Sequence, residues 1–180
     1  MKFAAQADPF YRLFGARLGT IDLISSLGIP WLFMMALRTR RKVHLHARYM
    51  LGTVFFLFGP ILSRLAPALP PLAITGPADF HRFGYGVHLA NGAAVLLALI
   101  LYQRAPKHGR PWLAVAGLIA LQSLAFETIG RSAGWESLFT AVGRMPTPLV
   151  ASLGFALAVA ATWAGWSAVP PAPTRRAAAA

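Results

Sequence analysis

The chain has no cysteine, which excludes disulfides, thiolate metal sites and cysteine nucleophiles. Acid is almost as scarce: five Asp and Glu stand against 17 Lys and Arg, a net charge of +12. Charged residues make up only 12% of the 180, about half the roughly 25% usual in soluble domains. A water-soluble fold with so little polar surface could not cover itself. The 57% hydrophobic content and the mean hydropathy of +0.56 therefore point to lipid as the solvent. In a soluble protein the basic excess would suggest nucleic acid. Here the basic runs are short and bounded by apolar stretches of membrane length, which counts against nucleic-acid binding and gives them a topological role. Met1-Lys2 is followed by a polar stretch with Gln6 and Asp8 rather than an apolar core and a small-residue cleavage site, so no cleavable signal is read there.

Five apolar segments of about spanning length follow: Gly19–Leu37, Tyr49–Leu65, Phe83–Gln103, Pro111–Gly130 and Pro148–Ala168. The expected fold is all-α, an integral membrane bundle of five transmembrane helices, with counts of four to six compatible with the pattern. Residues 1–168 form one transmembrane domain and 169–180 a flexible C-terminal tail. Pro9–Leu18 mixes aromatic and basic residues and is too short to span. It reads as a short interfacial helix or an arm without fixed structure. The linkers Ala66–Phe80 and Arg131–Pro146 join the segments, the second carrying Trp135, Leu138 and Phe139 for the headgroup region.

Basic residues fill Arg38–Arg48 and Arg104–Arg110 and return at Arg175 and Arg176. The positive-inside rule puts these in the cytoplasm, with the N-terminus outside and the C-terminus inside a bacterial cytoplasmic membrane. In that orientation Asp22 is three residues into the first segment and Glu127 three from the end of the fourth. Arg64 and His88 also fall in the outer half. Gly84, His88 and Gly92 share a helical face whose small residues predict contact with a neighbouring helix. Pro30 and Pro60 free the carbonyls of Ser26 and Phe56. These features predict an outer-half polar cluster of Asp22, Arg64, His88, Asn91 and Glu127 that binds a small ligand or a partner helix. The alternative is a set of ion pairs fastening the bundle, with Arg64, Arg82 or Arg131 as the cations.

Haem b is the cofactor to weigh, with His88 as its axial ligand. His44 and His46 approach from the opposite face, about 20 Å or more away, and His81 and His88 lie on one helix, so neither pair can sandwich a haem. No cofactor is therefore expected, and haem or quinone binding with a redox role is the rival reading. A small proton or solute transporter is the third. No HExxH, GxSxG or phosphate-binding glycine loop occurs, so no catalytic residue and no metal site is assigned. Gly84–Gly86 spells GYG without the rest of a potassium filter. The His44 and His46 pair accompanies the topogenic arginines. Gly154, Ala158 and Thr162 repeat at four-residue spacing and offer a surface to a second copy or to a partner membrane subunit.

HARYM at His46–Met50, opening a helix after a basic loop and followed by Arg64, resembles the HRRWM-type helix start in a group of uncharacterised bacterial multi-pass membrane proteins. Those are classed only as a domain of unknown function. The resemblance covers about a quarter of the chain. Asn91 corresponds to an asparagine in the next helix, while Ala47 departs from the pattern by replacing a basic residue. The resemblance implies a membrane protein and interest in His46, Arg48 and Arg64, and it implies no activity.

Overall fold

In a computed structural model of the chain, residues 8–170 are described, and the tail arginines Arg175 and Arg176 lie outside that range. Every regular element among the described residues is helical. The α-helices are α1 (Pro9–Arg38), α2 (Val43–Val54), α3 (Phe58–Leu65), α4 (His81–Arg104), α5 (Arg110–Glu127), α6 (Ala133–Gly143) and α7 (Thr147–Ser167). Five stretches are long and apolar enough to cross a membrane: α1, the run Val43–Ala68 that joins α2 to α3, α4, Arg110–Arg131, and α7. The protein is a multi-pass membrane helical bundle.

The first helix corrects the sequence reading. It runs unbroken over 30 residues from Pro9, so Pro9–Leu18 is neither a separate interfacial helix nor an arm. The start is chemically set, because Asp8 accepts the Phe10 amide at 2.8 Å and Pro9 occupies the first turn, where no amide partner is needed. Tertiary contacts then hold it. Phe10 and Phe14 pack edge-on against Phe83 of α4, and Phe14 stacks with Phe126 of α5. Pro30 is accommodated inside the helix.

The second span is broken where the proline predicts. Pro60 has no amide to give the Phe56 carbonyl, and the chain tightens into a 3-10 turn at Phe55–Leu57 between α2 and α3. Its two phenylalanines turn inward at that break while Leu57 stays exposed. Phe55 and Phe56 join Leu32 and Ala36 of α1 and Trp112, Val115 and Ile119 of α5 in the main core. A smaller core of Phe14, Val87 and Phe126 lies toward the other end. On α4 the tight face is Ala90, Ala94 and Ala98, all 1% exposed or less; their small side chains let the neighbouring helices lie close. The predicted glycine face is corrected in part: Gly84 is buried, but Gly92 is exposed with nothing near it. The helix turns its alanine row inward because that row is uniformly small, whereas the other carries the His88 ring.

The linker after α5 folds into α6. Ser132 caps it by accepting the Trp135 amide, and the Trp135 indole N–H donates to the Ala16 carbonyl at 2.6 Å. Phe139 lies so close to Gly19 that a Cβ there would come within 2.4 Å of the ring. Of the five spans α7 is the least embedded, burying only Ala161 and Gly165. Arg40 clamps its end, donating to the carbonyls of Trp166 at 2.7 Å and Val169 at 2.8 Å while lying over the Trp166 ring. Arg41 donates to the Pro170 carbonyl.

Candidate functional site

Charge is segregated along the bundle. Arg38, Arg40, Arg41, Lys42, Arg48, Arg104, Lys107 and Arg110 lie at the end where α1 and α4 finish and α2 and α5 begin. All five acids, Asp8, Asp22, Asp79, Glu127 and Glu136, belong to the other half. Measured from the basic end, Asp22 is 16 residues from Arg38, His88 is 16 from Arg104 and Glu127 is 17 from Arg110. At 1.5 Å per residue these positions all lie about 24–26 Å up their helices. Asp22, His88 and Glu127 thus share a level by residue count, whereas Arg64, 21 residues from Val43, lies above them, and Asp22 is well inside α1 and not near its start.

Level does not mean contact, and azimuth divides the predicted set. His88 and Glu127 meet: His88 Nε2 lies 2.8 Å from Glu127 Oε1. The same oxygen accepts from Arg17 Nη2 at 2.5 Å, and the other carboxylate oxygen pairs with Arg131. Arg17 is further fixed by donating to the Phe126 carbonyl, with its guanidinium 4.0 Å from the Phe126 ring centre and 5.0 Å from that of Phe14. The group is neither fully buried nor free: side-chain exposure is 15% for Arg17 and 34% for both His88 and Glu127. It opens onto a cleft of about 360 Å³ walled by Leu13, Gly84 and Tyr85, with His81 at its rim.

Asp22 and Arg64 are elsewhere. Both line a second cleft of about 440 Å³ between α1, α3, α4 and α6. Arg64 donates to its own Pro60 carbonyl at 2.6 Å and makes no ion pair with Asp22. Asn91 joins neither cleft. It is 2% exposed and donates to Ser123 Oγ at 3.0 Å, tying α4 to α5. A similar bond from Gln122 to Ser25 Oγ at 2.9 Å ties α5 to α1. Sequence reasoning missed Arg17, Gln122 and Ser25. The signal for Arg17 was its place two residues before a membrane-length run, masked by treating that stretch as outside the span.

A carboxylate shared by two guanidinium groups and an imidazole can do two things. Its cations can hold a small acidic group in competition with Glu127, and the His88–Glu127 contact can carry a proton. Among the described residues no cluster of three histidine or acidic side chains that could hold a metal ion is present. His81 lines the same cleft but stands seven residues from His88 on the same helix, about 10 Å along its axis; the rings of His44 and His108 lie 4.1 Å apart at the basic end, and His46 Nδ1 contacts the Ala36 carbonyl at 2.7 Å. A haem at His88 would thus need its second ligand from a methionine or another subunit. Comparison with protein-family models, curated proteins and solved structures finds no match to this chain.

Proposed function

We propose that this chain is a non-catalytic component of the bacterial cytoplasmic membrane that binds a small acidic ligand in the outer half of the bilayer. The basic end faces the cytoplasm by the positive-inside rule, so the N-terminus is outside and the C-terminus inside. One observation carries the reading: Glu127 is given more positive charge than it can neutralise. Arg17 alone would balance the carboxylate, yet Arg131 reaches its second oxygen and His88 shares the first. The cleft in front of them is left with a net positive charge that lipid tails cannot balance. A ligand carboxylate or phosphate supplies the missing anion through charge-assisted hydrogen bonds. The exposed face of Gly154, Ala158 and Thr162 on α7 would admit a second copy or a partner helix in the same membrane.

The test is native mass spectrometry of the protein released from its own membrane in a mild detergent. The expected result is a retained small-molecule mass that disappears in Arg131→Gln and His88→Ala while helicity is unchanged. A wild-type chain that carries no such mass reduces the cluster to a fastening of α1 to α5. Because His88 faces the same cleft, an absorption spectrum is taken as well. A Soret band lost in His88→Ala would replace this reading with haem binding. Solute or proton movement abolished by Glu127→Gln with the fold intact would replace it with transport.

A further inference from the structure

The second cleft has a different chemistry. Asp22 is the one acid of the membrane-spanning segments besides Glu127, and among the described residues no cation or hydrogen-bond donor meets its carboxylate. It stands exposed on α1 at the wall of the cleft. Across the space is Arg64, whose one bond to the Pro60 carbonyl leaves most of its guanidinium donors unused. The walls between them are aromatic: Phe10 and Tyr11 of α1, Phe83 of α4 and Phe139 of α6. A carboxylate at this depth that no described residue pairs is costly in lipid, and it stays ionised at least expense when a cation occupies the cleft. Aromatic faces attract the same cation, while the guanidinium attracts an oxyanion.

We propose that this cleft binds a small zwitterion, its ammonium between Asp22 and the aromatic walls and its phosphate or carboxylate on Arg64. The volume of about 440 Å³ admits a headgroup-sized molecule, which can come from a lipid or from solution. The two clefts use separate charged residues, so the assignment does not depend on the one made for Glu127.

The experiment uses the full chain in nanodiscs. Native mass spectrometry measures how much phosphatidylethanolamine is retained from discs containing equal parts of that lipid and phosphatidylglycerol. Calorimetry in phosphatidylglycerol discs follows soluble phosphoethanolamine, with glycerol phosphate as the anion that lacks an ammonium. Selective retention of phosphatidylethanolamine supports the proposal with a lipid headgroup as ligand, and selective binding of phosphoethanolamine supports it with a soluble one. Asp22→Asn lowers the preferred binding by about tenfold, the worth of one charge-assisted contact, and leaves glycerol phosphate unaffected. Arg64→Gln weakens phosphoethanolamine and glycerol phosphate alike. Glu127→Gln leaves the preference in place, so failure at one cleft is read apart from failure at the other. Both substitutions in the cleft are at exposed positions, and circular dichroism checks that helicity is kept. A wild-type protein that prefers neither ammonium-bearing ligand overturns the assignment. So does a folded Asp22→Asn that keeps the preference.

Discussion

Glu127 accepts from donors on three helical elements, so its removal strands cations and does more than delete a contact. A fully buried pair broken on one side costs about 3–5 kcal/mol. With 34% of the carboxylate side chain still exposed, Glu127→Gln is expected to cost about 2 kcal/mol. Combining it with Arg17→Gln should recover part of that loss, leaving a coupling of about 1 kcal/mol in a double-mutant cycle followed by denaturation in micelles. Simple additivity would show that the two side chains do not act as a pair. At the other end, His108 sits in the loop between α4 and α5. Burial, then the neighbouring His44, Arg48, Lys107 and Lys42, hold its pKa below the ordinary histidine value. The unfolded chain therefore takes up a proton that the folded chain resists. The stability this residue contributes is complete above about pH 6.5 and is lost as pH falls toward the folded-state value. His108→Gln should flatten the stability profile measured between about pH 7.5 and 5.

The levels of Asp22, His88 and Glu127 were legible in the sequence because rise per residue fixes depth. Their partners were not, because depth says nothing about which side of a helix meets which neighbour. Arg17 and Asp22 are five residues apart, about 140° around α1, which is why one helix serves two clefts. Gly92 shows the same limit: spacing put it on a face with Gly84, while the uniformly small alanine row is the one that α4 turns inward.

Among the elements, α7 shows how one neighbour can hold a membrane helix, since it packs chiefly on α1. At Gly165 a Cβ would come within 2.8 Å of both the Leu37 Cβ and the Met34 carbonyl oxygen, part of the backbone of α1. Backbone cannot swing aside as a side-chain tip can. Gly165→Ala is expected to lower stability by about 1–3 kcal/mol through separation of α7 from α1. Gly154→Ala, with nothing within reach, should stay within about 0.5 kcal/mol of wild type in the same thermal assay. Both α1 and α6 exceeded what periodicity could show. The first ten residues of α1 carry too much Arg for a hydropathy window. Their helix is completed by Phe10 and Phe14 packing on α4 and α5, contacts that exist only once the bundle is assembled. The five spans themselves were plain, because runs of about 20 apolar residues have few other solutions.

At the scale of the whole molecule the charge polarity is testable without background, since the chain has no thiol of its own. Lys107→Cys should react with an impermeant maleimide only after the membrane is opened, and Glu136→Cys should react in intact cells. The reverse pattern would invert the proposed orientation.

Arg40 and Arg41 belong to the loop after the first span, yet they close the end of the last. An α7 threaded in the opposite sense would bring its amino end to them. The carbonyls of Val169 and Pro170 would then lose the guanidinium donors they have here, and two guanidinium groups their acceptors. The loop made early in synthesis thus acts as a gauge for a helix made later, accepting it only when its carboxyl end emerges on the right side. A faulty insertion is penalised by the finished fold as well as by the membrane.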